Sequence, residues 1–117
     1  MARHLVDEGC IYREAIAFHS QQAAEKFLKA LLVWHGVDFE KTHNLGRLLQ
    51  LVTSFDTSLA SSLKPATALN PYGVDYRYPG DFPDLRPNDA EEASGLAEQV
   101  RAAVIPKLPP SLDSAHE

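Results

Sequence analysis

The segment from Ile11 to His35 constrains the fold more than any other part of the chain. At about 100° per residue, Ile16, Ala23, Ala24, Phe27, Leu28, Leu31, Leu32 and Trp34 fill one broad arc, while Gln22, Glu25, Lys26 and Lys29 lie opposite. That pattern predicts a long amphipathic helix, which must bury its apolar side against other elements. Gly36 suits the left-handed position just past a helix C-terminus. A short helical piece over about residues 2–9 precedes the main helix, with Gly9 as the break between them.

The remaining apolar residues also recur at helical spacing. Leu45, Leu48, Leu49 and Val52 predict a second helix capped by Thr42 or Asn44. Leu59, Leu63 and Leu69 predict another, capped by Asp56 or Thr57, interrupted near Pro65 and ended by Asn70-Pro71. Residues 71–87 carry Pro71, Gly73, Pro79, Gly80, Pro83 and Pro87, and form the longest irregular stretch; a long loop in a small domain is usually functional or mobile. Asn88 with Glu91 reads as a capping box for a last helix, whose buried stripe is Ala93, Leu96, Ala97, Val100 and Val104. Pro106 stops it. No run alternates long enough to predict a strand. The expected fold is all-α, an up-and-down bundle of four to five helices over residues 1–105, with a frayed proline-rich tail over 106–117.

Length and charge exclude several classes. The 117 residues fit one domain, and no apolar run is long enough to cross a membrane. The N-terminal residues lack the apolar core of a signal peptide, and the single cysteine cannot form an internal disulfide, so a cytoplasmic location is expected. A net charge of −5 argues against broad binding of nucleic acid while leaving room for a local basic pocket.

Gln22, Glu25 and Lys29 line up along one side of the main helix. Spacing alone permits a solvated face with a favourable Glu25–Lys29 pair. The stretch Phe18-His-Ser-Gln-Gln-Ala-Ala-Glu-Lys-Phe-Leu-Lys-Ala-Leu-Leu32, followed by Lys41-Thr-His-Asn-Leu45, resembles the HEPN family of small helical domains, and Tyr76-Arg-Tyr-Pro79 matches a segment found before the final helix of its small prokaryotic members. The resemblance covers about residues 3–105. It implies that the polar stripe faces other helices or a partner subunit, and that His43 lies near the polar centre of the bundle.

Members of that family include ribonucleases, toxin-like partners of minimal nucleotidyltransferases, and catalytically silent modules. In Asp75-Tyr-Arg-Tyr-Pro79, a guanidinium between two phenol rings suits the grip of a phosphate and the stacking of bases. The alternative is that Tyr76 and Tyr78 pack on the bundle while Arg77 pairs with a carboxylate such as Glu25. Catalytic members carry an Arg, then four to six arbitrary residues, then a His. Here Arg77 is present, but no histidine follows until His116, and Arg86 also lacks one. The nuclease motif is therefore broken: a phosphate grip remains without an obvious proton carrier. His19 or His43 can substitute only where the fold brings one beside Arg77.

His19 and His35 point about 160° apart on one helix, and no Cys or His pair has metal-ligand spacing, so no metal is expected. No cofactor loop or nucleophile elbow is present either. The resemblance implies three alternatives. One is a nucleotide- or RNA-binding regulatory module, dimeric and paired with a minimal nucleotidyltransferase in a toxin–antitoxin arrangement. The second is a metal-independent endoribonuclease using Arg77 with a displaced histidine. The third is a purely structural dimeric interaction protein. The candidate ligand contacts are Arg77, Tyr76, Tyr78, Glu25, Lys29 and His43.

Overall fold

The computed structural model describes residues 2–73 and 85–109. Within them the chain is all helical, without strands. Helix α1 spans Ala2–Trp34, α2 Leu45–Val52, α3 Thr57–Ser62 and α4 Pro87–Val104; 3-10 helices cover Lys64–Tyr72 and Ile105–Lys107. At about 1.5 Å per residue a helix as long as α1 runs the full 51 Å of the molecule's longest axis. It is the spine on which α4, α2 and the first 3-10 helix pack.

The backbone passes through Gly9 without interruption, so the expected break is absent. One interior glycine costs only about 1 kcal/mol against alanine, which a helix continuous on both sides tolerates. At the other end Gly36, with φ of 69°, closes α1 as expected. Its N–H donates to the Val33 carbonyl and the Val37 N–H to the Leu32 carbonyl, a Schellman arrangement that turns the chain towards α2.

The core is centred on Leu28. Ala17, Ala24, Leu28, Leu31 and Leu32 of α1 meet Leu45, Leu48 and Val52 of α2, Leu69 of the 3-10 helix, and Ala93, Val100 and Val104 of α4. The buried strip on α1 is narrower than the arc drawn from the sequence. Trp34 lies about 120° from Leu28 around the helix and is 55% exposed. Ile16, Ala23 and Phe27 are half-buried on the same flank. Glu25 differs in the opposite sense: it was expected on the polar side but lies only about 20° from Leu32 and is buried.

Two caps settle choices the sequence left open. Asn44 caps α2, its side-chain oxygen accepting from the Arg47 N–H at 3.2 Å, and Asp56 caps α3 by accepting from the Leu59 N–H at 3.0 Å. Asn70 strengthens the first: its Oδ1 accepts from the Leu45 N–H at 2.8 Å and its Nδ2 donates to Asn44 Oδ1. The 3-10 helix continues past Asn70-Pro71 to Tyr72, and the Gly73 N–H donates to the Asn70 carbonyl at its end. Helix α4 also begins earlier than Asn88. The Arg86 N–H donates to Asp89 Oδ2 and the Asp89 N–H to the Arg86 carbonyl, with Pro87 at the first helical position. Beyond α4, Leu108 packs against the core.

Candidate functional site

A polar cluster sits in the middle of α1, where a bundle helix ordinarily presents hydrocarbon. Glu25 Oε2 accepts from Lys29 Nζ at 2.9 Å and Oε1 accepts from Gln21 Nε2 at 3.1 Å. The His43 ring, from the segment that leads into α2, brings Nδ1 to 3.0 and 3.1 Å from the two carboxylate oxygens. Four contacts occupy about the whole acceptor capacity of a carboxylate. Lys29 is further held 5.8 Å from the Phe39 ring centroid, a cation–π contact that covers the ammonium.

Gln21 locks the cluster together. It is fully buried, and its second amide hydrogen goes to the His43 carbonyl at 3.0 Å while its oxygen accepts from Gln22 Nε2 at 2.8 Å. The segment carrying His43 is thus tied to α1 through both its side chain and its backbone. Gly73 presses on the same amide: a Cβ built on it would fall 2.2 Å from Gln21 Cδ and 2.4 Å from Nε2. With φ at −95° the Gly73 backbone suits any residue, so the glycine is there for space.

Burial pushes the Glu25 carboxyl upward, but the hydrogen bonds from Lys29, His43 and Gln21, with the charge of Lys29, outweigh it and hold the group below its usual value of 4.5. The carboxylate is therefore ionised at neutral pH, and Nδ1 of His43 must be the donor towards it. Nε2 is left facing outward on a ring that is 62% exposed, with no hydrogen-bond partner among the described residues.

Of the residues singled out in the sequence, Glu25, Lys29 and His43 come together here. Arg77, Tyr76 and Tyr78 lie outside the described residues. Gln21 is the residue that the sequence reading passed over. Its signal was available: it stands three residues before Ala24 and seven before Leu28, on the core strip, where an amide needs internal partners. Gly73 showed only as a loop former. His19 borders a different feature, an apolar groove between α1 and α4, and His35 stacks on Phe55 at 3.7 Å between ring centroids. Among the described residues no group of three or more His, Cys, Asp and Glu is placed to hold a metal ion, and no helix is long and apolar enough to cross a membrane.

The helical bundle, with Glu25 and Lys29 of α1 meeting His43 of the Thr-His segment, agrees with the resemblance in fold and in placing His43 at a polar centre, while Gln21 rather than Gln22 supplies the amide. A family model for the HEPN domain matches residues 1–108. The chain belongs to the HEPN family. Neither a curated protein nor a solved structure matches it.

Two measurements probe the cluster. Gly73→Ala is expected to cost about 1–3 kcal/mol in denaturant unfolding, because the buried Gln21 amide has nowhere to move. Adding Gln21→Ala should recover part of that loss; strictly additive effects would mean that the two residues do not compete for space. The second concerns acid. A depressed folded-state pKa means that the unfolded chain binds the Glu25 proton more readily. The stabilisation is complete above the ordinary glutamate value and lost as pH falls through the lower, folded one. Glu25→Gln should flatten the stability–pH curve in that window, and an acid slope equal to that of the parent chain would refute the assignment.

Proposed function

We propose that this HEPN chain is a nucleotide- or RNA-binding regulatory module rather than an active nuclease. Its proposed ligand contacts are Arg77 with Tyr76 and Tyr78, together with Glu25, Lys29 and His43. The observation that carries this reading is the contact of Gly73 with Gln21. Gly73 is the last described residue before the segment bearing Arg77, and four residues of chain reach at most about 14 Å. Lys29, His43 and Gln21 already satisfy Glu25, so the cluster does not need the charge of Arg77 for neutralisation. That favours a guanidinium available to a phosphate over one consumed by an internal ion pair.

The family resemblance extends the proposal to partnership with a minimal nucleotidyltransferase in a toxin–antitoxin-type pair, at work in the cytoplasm. A short oligouridylate is a suitable probe. Arg77→Ala should weaken its binding roughly tenfold to a hundredfold, as expected for loss of a charge-assisted contact. RNA should stay intact in the presence of EDTA. Cleavage that survives EDTA and disappears in Arg77→Ala would establish the ribonuclease reading in its place.

A second reading, homodimerisation, is favoured by a separate surface. The groove between α1 and α4 has a volume of about 590 Å³ and is lined by Tyr12, Ile16, Ala23 and Phe27 facing Ala97. Tyr12 on its wall is 72% exposed. Glu98 and Arg101, 3.5 Å apart, border it with opposite charges. A two-fold axis presents the same face from both copies, so Glu98 of one can meet Arg101 of the other. Light scattering should report a dimer, converted to monomer by Ala97→Glu. If the parent chain is monomeric at every concentration tested, the groove has another use.

A further inference from the structure

We propose that His43 is itself a phosphate ligand: Glu25 fixes its Nδ1–H, and the outward Nε2, when protonated, donates a hydrogen bond to a phosphodiester oxygen of RNA or a nucleotide. The proposal rests on the binding reading above and adds to it a named donor and a dependence on pH.

The geometry points this way in three steps. First, Nδ1 lies within hydrogen-bond distance of both oxygens of a buried carboxylate, so it carries a hydrogen in either charge state of the ring. The variable proton is therefore confined to Nε2. Second, Nε2 lacks a described partner and belongs to a mostly exposed ring, so a ligand can reach it. Third, the ring cannot swing away, because the Gln21 amide holds the His43 carbonyl while Glu25 holds the side chain. A fixed, outward donor on a rigid mount is what selective anion recognition requires.

Charge bookkeeping agrees. On α1, Glu25 and Lys29 cancel one another at 2.9 Å. On α2, Arg47 is bound to Glu40 at 2.7 Å, and Lys41 adds a positive charge in the segment of His43 itself. With a neutral imidazole the Glu25–Lys29–His43 cluster carries no net charge; with an imidazolium it carries one positive charge, available to an anion. Histidine is the side chain that makes this change between about pH 5 and 8.

Two probes separate the possible sources of the phosphodiester: oligouridylate for RNA and cyclic adenosine monophosphate for a nucleotide. Neither gains or loses a proton between about pH 6 and 8, so any dependence on pH belongs to the protein. Calorimetric titration at the two ends of that range should show affinity for at least one probe falling roughly tenfold as pH rises, with proton uptake on binding near the upper end. Uridine, which has no phosphate, should show no such dependence. In His43→Asn, whose amide nitrogen falls near the Nδ1 position and can still donate to Glu25, the affinity should be low and flat across the range. Circular dichroism checks that the variants fold. On the parent chain, the His43 Nε2 resonance in nitrogen NMR should shift when the probe is added. Binding that needs Arg77 but is flat with pH, or unchanged in His43→Asn, overturns this proposal and leaves the binding reading intact. Absence of binding to both probes at either pH overturns both.

Discussion

The Glu25 carboxylate is ionised, nearly closed to water and set beside the core leucines of α1. A charge in that position is tolerated only when paired and hydrogen-bonded. That requirement organises the surrounding chain. Lys29 must lie one turn on, Gln21 one turn back, and a donor must arrive from outside the helix, which fixes where the segment before α2 crosses α1. Removing one donor would leave an under-compensated charge, so the members of the cluster stand or fall together. The site and the packing of α1 against α2 are two aspects of one electrostatic constraint.

Around this polar centre the bundle follows ordinary rules. The Schellman closure at Gly36 reverses the chain, Asn44 and Asp56 start the next two helices, and leucines spaced three and four apart turn inward. The exposed pair Glu40–Arg47 adds a geometric tie across the connection, of the kind that contributes little in water. The apolar flank of α1, by contrast, leaves Tyr12 exposed and Ile16 and Phe27 half-buried along the groove with α4. The monomer therefore presents two distinct faces: a polar one at His43 and an apolar one on the side of α4.

Much of this was legible in the sequence, and where legibility failed it did so for physical reasons. Elements with long periodicity and strong end signals, such as α1 closed by Gly36 and α2 with its four leucine and valine positions, stand out because helical spacing and burial reinforce each other. A helical wheel ranks residues by type, however, so Trp34 was drawn inward and Glu25 outward. The neighbours that decide both lie distant in the chain. Gln21 stands on the core strip by its spacing from Ala24 and Leu28, but the partners that satisfy and enclose its amide, His43 and Gly73, lie 22 and 52 residues away. The start of α4 was misread because Asn88 and Glu91 offered a familiar capping pattern while Arg86 and Asp89 form the reciprocal one through the backbone. Family motifs, which encode such long-range requirements, located Glu25, Lys29 and His43 where periodicity alone did not.

The role of Asn70 reaches into how the molecule assembles. The first turn of α2 is held partly by a side chain that follows it by 25 residues, on a 3-10 helix that must itself be docked. A helix of eight residues has little stability alone. Its N-terminus is therefore completed only when the later segment closes over it, and the first half of the bundle cannot reach its final order ahead of the second. The N-terminus of α2, which follows directly on the segment that carries His43, is thus completed by the same stretch of chain that brings Gly73 against Gln21.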